Sequence, residues 1–153
     1  MKSTIPQTLN SISELNAYVR KYLPVLYKPK QIILLNGEMG SGKTEFVKQI
    51  LSLLGDHLAT SPSFAIHNSY QATYNGVELA IEHLDLFRLN SEEDLQSVGF
   101  WDLFENEQAI IIVEWANKLE PSRLPRSWGQ LVFEFKTIND STRSIHFEMN
   151  IVK

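Results

Sequence analysis

Apolar positions recur along this chain with two different periods. Over "SISELNAYVRKYLPVL", Leu15, Tyr18, Val19, Tyr22 and Leu23 fall at helical spacing, and Ser11 with Glu14 three residues on makes a capping box, so a first amphipathic helix is expected. Pro24 should kink or end it. "QIILLN" at 31–36 and "QAIIIV" at 108–113 are short continuous apolar runs, the pattern of strands buried on both faces at the centre of a parallel sheet. Between them, "EFVKQILSLLG" predicts a helix to about Leu54 with Gly55 as its C-terminal cap. Stretches 64–70 and 77–84 alternate as two strands of a hairpin, with Asn75-Gly76 as its turn signal. "SEEDLQSVGFWDLFENE" has helical spacing behind Ser91 as an N-cap, with acids in the first turn. "QLVFEFKTI" and "RSIHFEMNIV" alternate strictly on either side of "NDST", a second and antiparallel hairpin. The expected fold class is α/β, with three layers, a central mostly parallel sheet and antiparallel hairpins extending it.

Candidate chemistry enters at the junction of the first apolar strand with the next helix. Gly37-x-x-x-x-Gly42-Lys43-Thr44 fits the P-loop spacing without a mismatch, and the strand before it and the helix after it supply the context that the motif demands. Gly37, Glu38, Met39, Gly40, Ser41 and Gly42 form a loop whose N–H groups can turn inward onto a polyphosphate at the positive end of a helix. Lys43 can reach the β- and γ-phosphates, and Thr44 would place its hydroxyl on a magnesium ion. The domain is therefore expected to be a three-layer P-loop NTPase.

Phosphoryl transfer to water asks for charge neutralisation, a magnesium ion and a positioned water, with little covalent work for a side chain. Glu114 closes the apolar run 108–113, where a carboxylate is costly unless it faces a cation, so it is assigned with Thr44 to the magnesium shell as the Walker B acid. Asp85, beside His83 and Arg88 at the end of another predicted strand, can orient the attacking water or a metal-bound water. His83 is expected to be structural. Trp115, next to Glu114, either packs under the site or presents a face to a partner, beside the plainer reading of a buried core tryptophan. Arg123 and Arg126 in "PSRLPRSW" are either a lid pair or surface residues.

Length and charge then limit what this chemistry can serve. The 153 residues fit a single domain, 1–153, with no room for an independent substrate domain. With no cysteine, disulfides, thiolate zinc sites and a cysteine nucleophile are excluded. The N-terminal stretch lacks the apolar core of a signal peptide and no apolar run approaches about 18 residues, so the expectation is a cytoplasmic protein with no membrane span. A net charge of −4 opposes autonomous grip on nucleic acid. Any work on RNA would go through partner proteins.

Four blocks in order, "GEMGSGKTEF", "TSPSFAIHNSY", "EHLDLFRL" and "IIIVEW", resemble the TsaE (YjeE) family, small bacterial P-loop ATPases needed to make threonylcarbamoyladenosine in tRNA. The resemblance covers roughly residues 10 to 150. The family usually has Gly-Asp-Leu-Gly at 37–40, Ser-Pro-Thr at 61–63 and His-Phe-Asp-Leu-Tyr-Arg at 83–88; here the acids at 38 and 85, the hydroxyl at 63 and Arg88 are kept, while Phe87 lacks the tyrosine hydroxyl and Ala116 stands where proline is frequent. The resemblance implies ATP and magnesium as cofactors, with Lys43, Asp85 and Glu114 catalytic. It also implies a switch-like loop whose Ser63 hydroxyl meets magnesium or phosphate, and a nucleotide-facing Arg143. It implies partners resembling TsaB and TsaD, through which tRNA is reached, and slow hydrolysis by the chain alone.

Three rivals stand beside that reading. "NKLE" at 117–120 imitates the guanine-reading Asn-Lys-x-Asp of GTPases, but Glu-Trp-Ala intervenes after the strand and Asp85-Leu-Phe-Arg88 has no glycine where a GTPase needs one. A small P-loop kinase would need an acceptor pocket and an arginine lid. A nucleotide-gated adaptor without significant catalysis would use ATP to set its affinity for a partner.

Overall fold

The computed structural model describes residues 2–55 and 66–150, and the chain opens with two short strands that its apolar pattern does not announce, β1 (Lys2–Ser3) and β2 (Gln7–Leu9). Helix α1 (Ile12–Leu26) follows, with the Ser11 hydroxyl accepting from the N–H of Glu14 at 3.1 Å. The Glu14 carboxylate reaches back to the N–H of Asn10, one residue before the cap. Pro24 does not end this helix. It stands on the exposed face of the last turn, where solvent can replace the N–H that proline lacks.

Strand β3 (Gln31–Asn36) leads through the loop into α2 (Lys43–Leu53), which stops at Leu54 with Gly55 at φ +87°. Strands β4 (His67–Tyr74) and β5 (Val77–Asp85) form the expected hairpin. Tyr74 pairs with Val77, leaving Asn75-Gly76 as a two-residue turn with both φ values positive, as the twist of a tight hairpin requires. β4 starts later than the alternation suggests, and residues 64 and 65 lie outside the described residues.

The helical spacing behind Ser91 resolves into two pieces, α3 (Glu92–Ser97) and a 3-10 segment at Trp101–Glu105. Gly99 at φ +73° breaks the helix between them and lets Phe100 turn fully into the core. Then come β6 (Ala109–Glu114), β7 (Gly129–Thr137) and β8 (Arg143–Asn150).

Among the described residues the strands form one eight-stranded sheet in the order β1-β8-β7-β3-β6-β5-β4, with β2 also paired to β8. β3 runs parallel to both β6 and β7, and β5 runs parallel to β6. The two hairpins add antiparallel strands at either side, as expected. Alternation along β3 sorts the two cores. Ile33 and Leu35 join Leu23, Phe46 and Ile50 beneath α1 and α2, whereas Ile32 and Leu34 join Leu95, Phe100 and Trp128 on the other face. Both faces are covered, which is why β3 and β6 have no polar alternation.

This arrangement brings the carboxyl ends of the parallel strands to one edge of the sheet. Leu35 pairs with Glu114, and Asp85 pairs with Glu114 from the other side. The loop at Gly37, the acid at 114 and the acid at 85 therefore converge, although tens of residues separate them along the chain. Ligands of open α/β sheets bind at such an edge. No helix among the described residues is long and apolar enough to cross a membrane.

Candidate nucleotide site

The loop between β3 and α2 is shaped by what its glycines lack. A Cβ on Gly37 would lie 2.6 Å from the Ser41 hydroxyl oxygen and 2.9 Å from the Phe135 side chain, so only glycine lets the loop close against β7. Gly42, at φ +107°, is the N-cap of α2. Lys43 is only 4% exposed, and its Nζ donates to the carbonyls of Gly37 at 2.5 Å and Glu38 at 2.8 Å. The same ammonium lies 4.4 Å from the centroid of the Trp115 ring. Burial pushes the Lys43 pKa down, while Glu114, Asp85 and Glu38 pull it the other way.

Glu114 closes β6 at 2% exposure, and both of its oxygens are engaged. The Thr44 hydroxyl donates to Oε1 at 2.7 Å, and Nε2 of the fully buried His83 lies 2.7 Å from Oε2. Asp85 is half-buried beside them and accepts from the N–H of Phe87 at 3.0 Å. Lys118 Nζ holds the turn that follows, donating to the carbonyls of Phe87 at 2.6 Å and Leu89 at 2.7 Å. The lysine of the guanine-like "NKLE" is thus spent on the backbone.

Trp115 packs under the site, partly buried against the core and against Lys43. Its backbone is left-handed at φ +59°, and its ring packs tilted against that of Phe87 with centroids 4.9 Å apart. Arg88 lies at the cavity rim, exposed and with no partner among the described residues.

Lys43, Thr44, Asp85, Phe87, Arg88, Glu114 and Trp115 border a cavity of about 850 Å³. Asp85 and Glu114 line it at the ends of β5 and β6 together with Lys43 and Thr44 of α2, whereas Leu9, Ile12 and Ile145 line it on the β8 side of the sheet; Met39, 70% exposed, lines it from within the loop. Arg143 borders the cavity and donates to Gly40 O at 3.2 Å and Asn139 O at 2.6 Å, tying the β7–β8 turn to the loop. Of the expected residues, Glu38 contributes its carbonyl to Lys43, Ser41 is buried within the loop, and Ser63 lies outside the described residues. The lid pair is not assembled here. Arg123 is bridged to Glu92 at 2.7 Å over the Trp101 ring, and neither it nor Arg126 borders the cavity. The wall from Leu9 to Ile12 gave no signal in sequence, because its role depends on β2 pairing with β8.

A glycine loop between a parallel strand and a helix, with a carboxylate on the neighbouring strand end against the helix threonine, defines a P-loop nucleotide-binding domain. Within that class the chain belongs to the family described as threonylcarbamoyl adenosine biosynthesis protein TsaE, whose model matches residues 9–145. The tRNA threonylcarbamoyladenosine biosynthesis protein TsaE of Rickettsia conorii is 35% identical over 111 residues, 71% of this chain and 59% of that protein. The Rickettsia prowazekii protein of the same name is 32% identical over 145 residues, 92% of this chain and 94% of its own length. The match to the Borreliella burgdorferi protein, like that to R. conorii, spans 59% of the relative's length. The crystal structure of Bacillus subtilis YdiB matches with a TM-score of 0.66 at 29% identity, covering 95% of this chain and 84% of that one.

Proposed function

We propose that residues 1–153 form a magnesium-dependent ATPase domain that serves tRNA threonylcarbamoyladenosine biosynthesis, resetting a partner complex by hydrolysis. The observation that carries this reading is the contact of Thr44 with Glu114 beside the buried Lys43 at the foot of one cavity. The donor set suits a magnesium nucleotide. Thr44 and Glu114 offer hard oxygen ligands, and among the described residues no cluster of three or more metal-binding side chains is present. Two protein oxygens suit magnesium, which keeps waters and takes its remaining ligands from substrate phosphates.

In this reading the loop N–H groups and Lys43 hold the phosphates, and Thr44 with Glu114 holds the magnesium shell. Asp85 orients water, Ser63 closes on the nucleotide, and Arg143 braces the loop. Bound magnesium would neutralise charge on the phosphates. ATP is preferred over GTP, since Lys118 is committed to the carbonyls of Phe87 and Leu89. Titration of each nucleotide should give the tighter binding for ATP; equal affinities would remove the base preference. A small-kinase reading is weaker because Arg123 is held on Glu92.

The partners are a pair of proteins resembling TsaB and TsaD, and tRNA is reached only through them. The chain's net charge of −4 supports this, since phosphate backbones are held by clustered cations. Hydrolysis by the chain alone is slow and rises when the partners order the site. The test is multi-turnover modification of purified tRNA by the partner proteins with the wild-type chain, with Lys43→Ala, or with none. Wild type alone should sustain turnover. Equal yields in all three would remove the proposed function.

A further inference from the structure

Along β5, Leu79 and Ile81 face the core beneath α1 and α2, and the next position on that face is His83. An apolar residue would continue the pattern. The imidazole is instead fully buried, with Nε2 on Glu114 and, among the described residues, no partner for Nδ1. A carboxylate only accepts, so the proton of that contact belongs to Nε2, and Nδ1 is left without a partner among the described residues. That orphan is a desolvation cost which leucine would avoid. Whatever offsets it must come from the Nε2 side.

We propose that His83 is a positioning residue for Glu114, its Nε2–H fixing Oε2 so that Oε1 stays turned toward Thr44 as an acceptor for the magnesium shell. The inference rests on the magnesium reading above. Three elements meet in this contact: β5 presents His83, β6 presents Glu114, and the first turn of α2 presents Thr44. Without the histidine, one oxygen of a nearly buried carboxylate would lose its donor and the group could rotate away from Thr44. Ligating carboxylates are held by such outer hydrogen bonds, whose loss typically lowers metal affinity by about 10–100-fold.

The test compares wild type with His83→Gln, His83→Asn, His83→Leu and Glu114→Ala. Binding of a non-hydrolysable ATP analogue is measured first in chelator and then over a magnesium titration. Gln can place an amide N–H near the position of Nε2, whereas Asn is too short and Leu has no donor. The expected result is unchanged metal-free affinity in all three His83 variants. The magnesium midpoint should stay close to wild type in His83→Gln and shift about 10–100-fold upward in His83→Asn and His83→Leu. A purely structural role would lower metal-free binding and thermal stability without rescue by Gln. If either the Asn or the Leu variant binds the analogue in chelator and keeps the wild-type magnesium midpoint while Glu114→Ala shifts it, the positioning role is overturned and the magnesium site stands. If Glu114→Ala leaves the midpoint in place, the magnesium reading and this inference fall together.

Discussion

Lys43→Ala is expected to lower ATP hydrolysis by about 10²–10³-fold, the size of effect seen when one preorganised charge donor is removed from a reacting centre. It should also weaken magnesium-ATP binding about tenfold or more, since hydrogen bonds to charged groups contribute about 1.5–3 kcal/mol each. The ammonium is already withdrawn from water and held by the carbonyls of Gly37 and Glu38, so the nucleotide finds a positive charge in place. The nucleotide-free protein should not suffer equally. Burial lowers the folded-state pKa of Lys43 below its unfolded value. A cation shifted that way opposes folding in full below its folded value, and the opposition fades as pH rises from the folded value to the unfolded one. At neutral pH the substitution therefore removes an electrostatic cost together with the hydrogen bonds of Nζ to Gly37, Glu38 and Ser41. Thermal unfolding with and without magnesium-ATP separates the effects: the nucleotide-free midpoint should stay near wild type and the ATP-induced rise should disappear. A rise as large as that of wild type would exclude Lys43 from the phosphate site.

Much of this site was legible because it is built from local signals at strand ends. "QIILLN" and "QAIIIV" announce buried strands through unbroken apolar runs, and the glycine spacing after the first announces the loop. That Thr44 and Glu114 touch follows once both strands are placed side by side in a parallel sheet, because helix α2 begins where β3 ends.

What was not legible depends on distant partners. Residues 2–9 carry no strand pattern, and β1 and β2 exist because β8 offers them an edge. The consequence is functional, since Leu9 and Ile12 line the cavity, Leu9 from its pairing with β8. The break at Gly99 was hidden because helical spacing continues in register through a short 3-10 turn. His83 looked structural because a lone histidine in an apolar strand carries no sign of what it meets. Its contact with Glu114 arises from the β5–β6 pairing. Trp115 shows a local feature with no sequence signature, for only its left-handed backbone turns the ring toward Lys43.

Substitution of the two acids should separate chemistry from affinity. Asp85→Ala is expected to reduce single-turnover hydrolysis by about 10²–10⁴-fold, the range for a positioned group that acts on a water proton. Binding of a non-hydrolysable ATP analogue should change little, because Asp85, at the end of β5, lies across the sheet from the apolar Leu9 and Ile145 that line the cavity on the β8 side. Among the described residues its carboxylate accepts one hydrogen bond, from the N–H of Phe87, which shapes the turn and leaves the carboxylate with acceptor capacity at the cavity. Glu114→Ala should reduce turnover too, for a different reason. Both oxygens of Glu114 are engaged, by Thr44 and His83, so it is placed to hold a metal shell and poorly placed to take a proton. Raising magnesium should therefore recover part of the lost rate in Glu114→Ala and none in Asp85→Ala. Rapid-quench measurement of one round of hydrolysis, repeated across magnesium concentrations, resolves the two. Wild-type single-turnover rates in either variant would strip that residue of its role, and magnesium recovery in the Asp85 variant alone would exchange the two assignments.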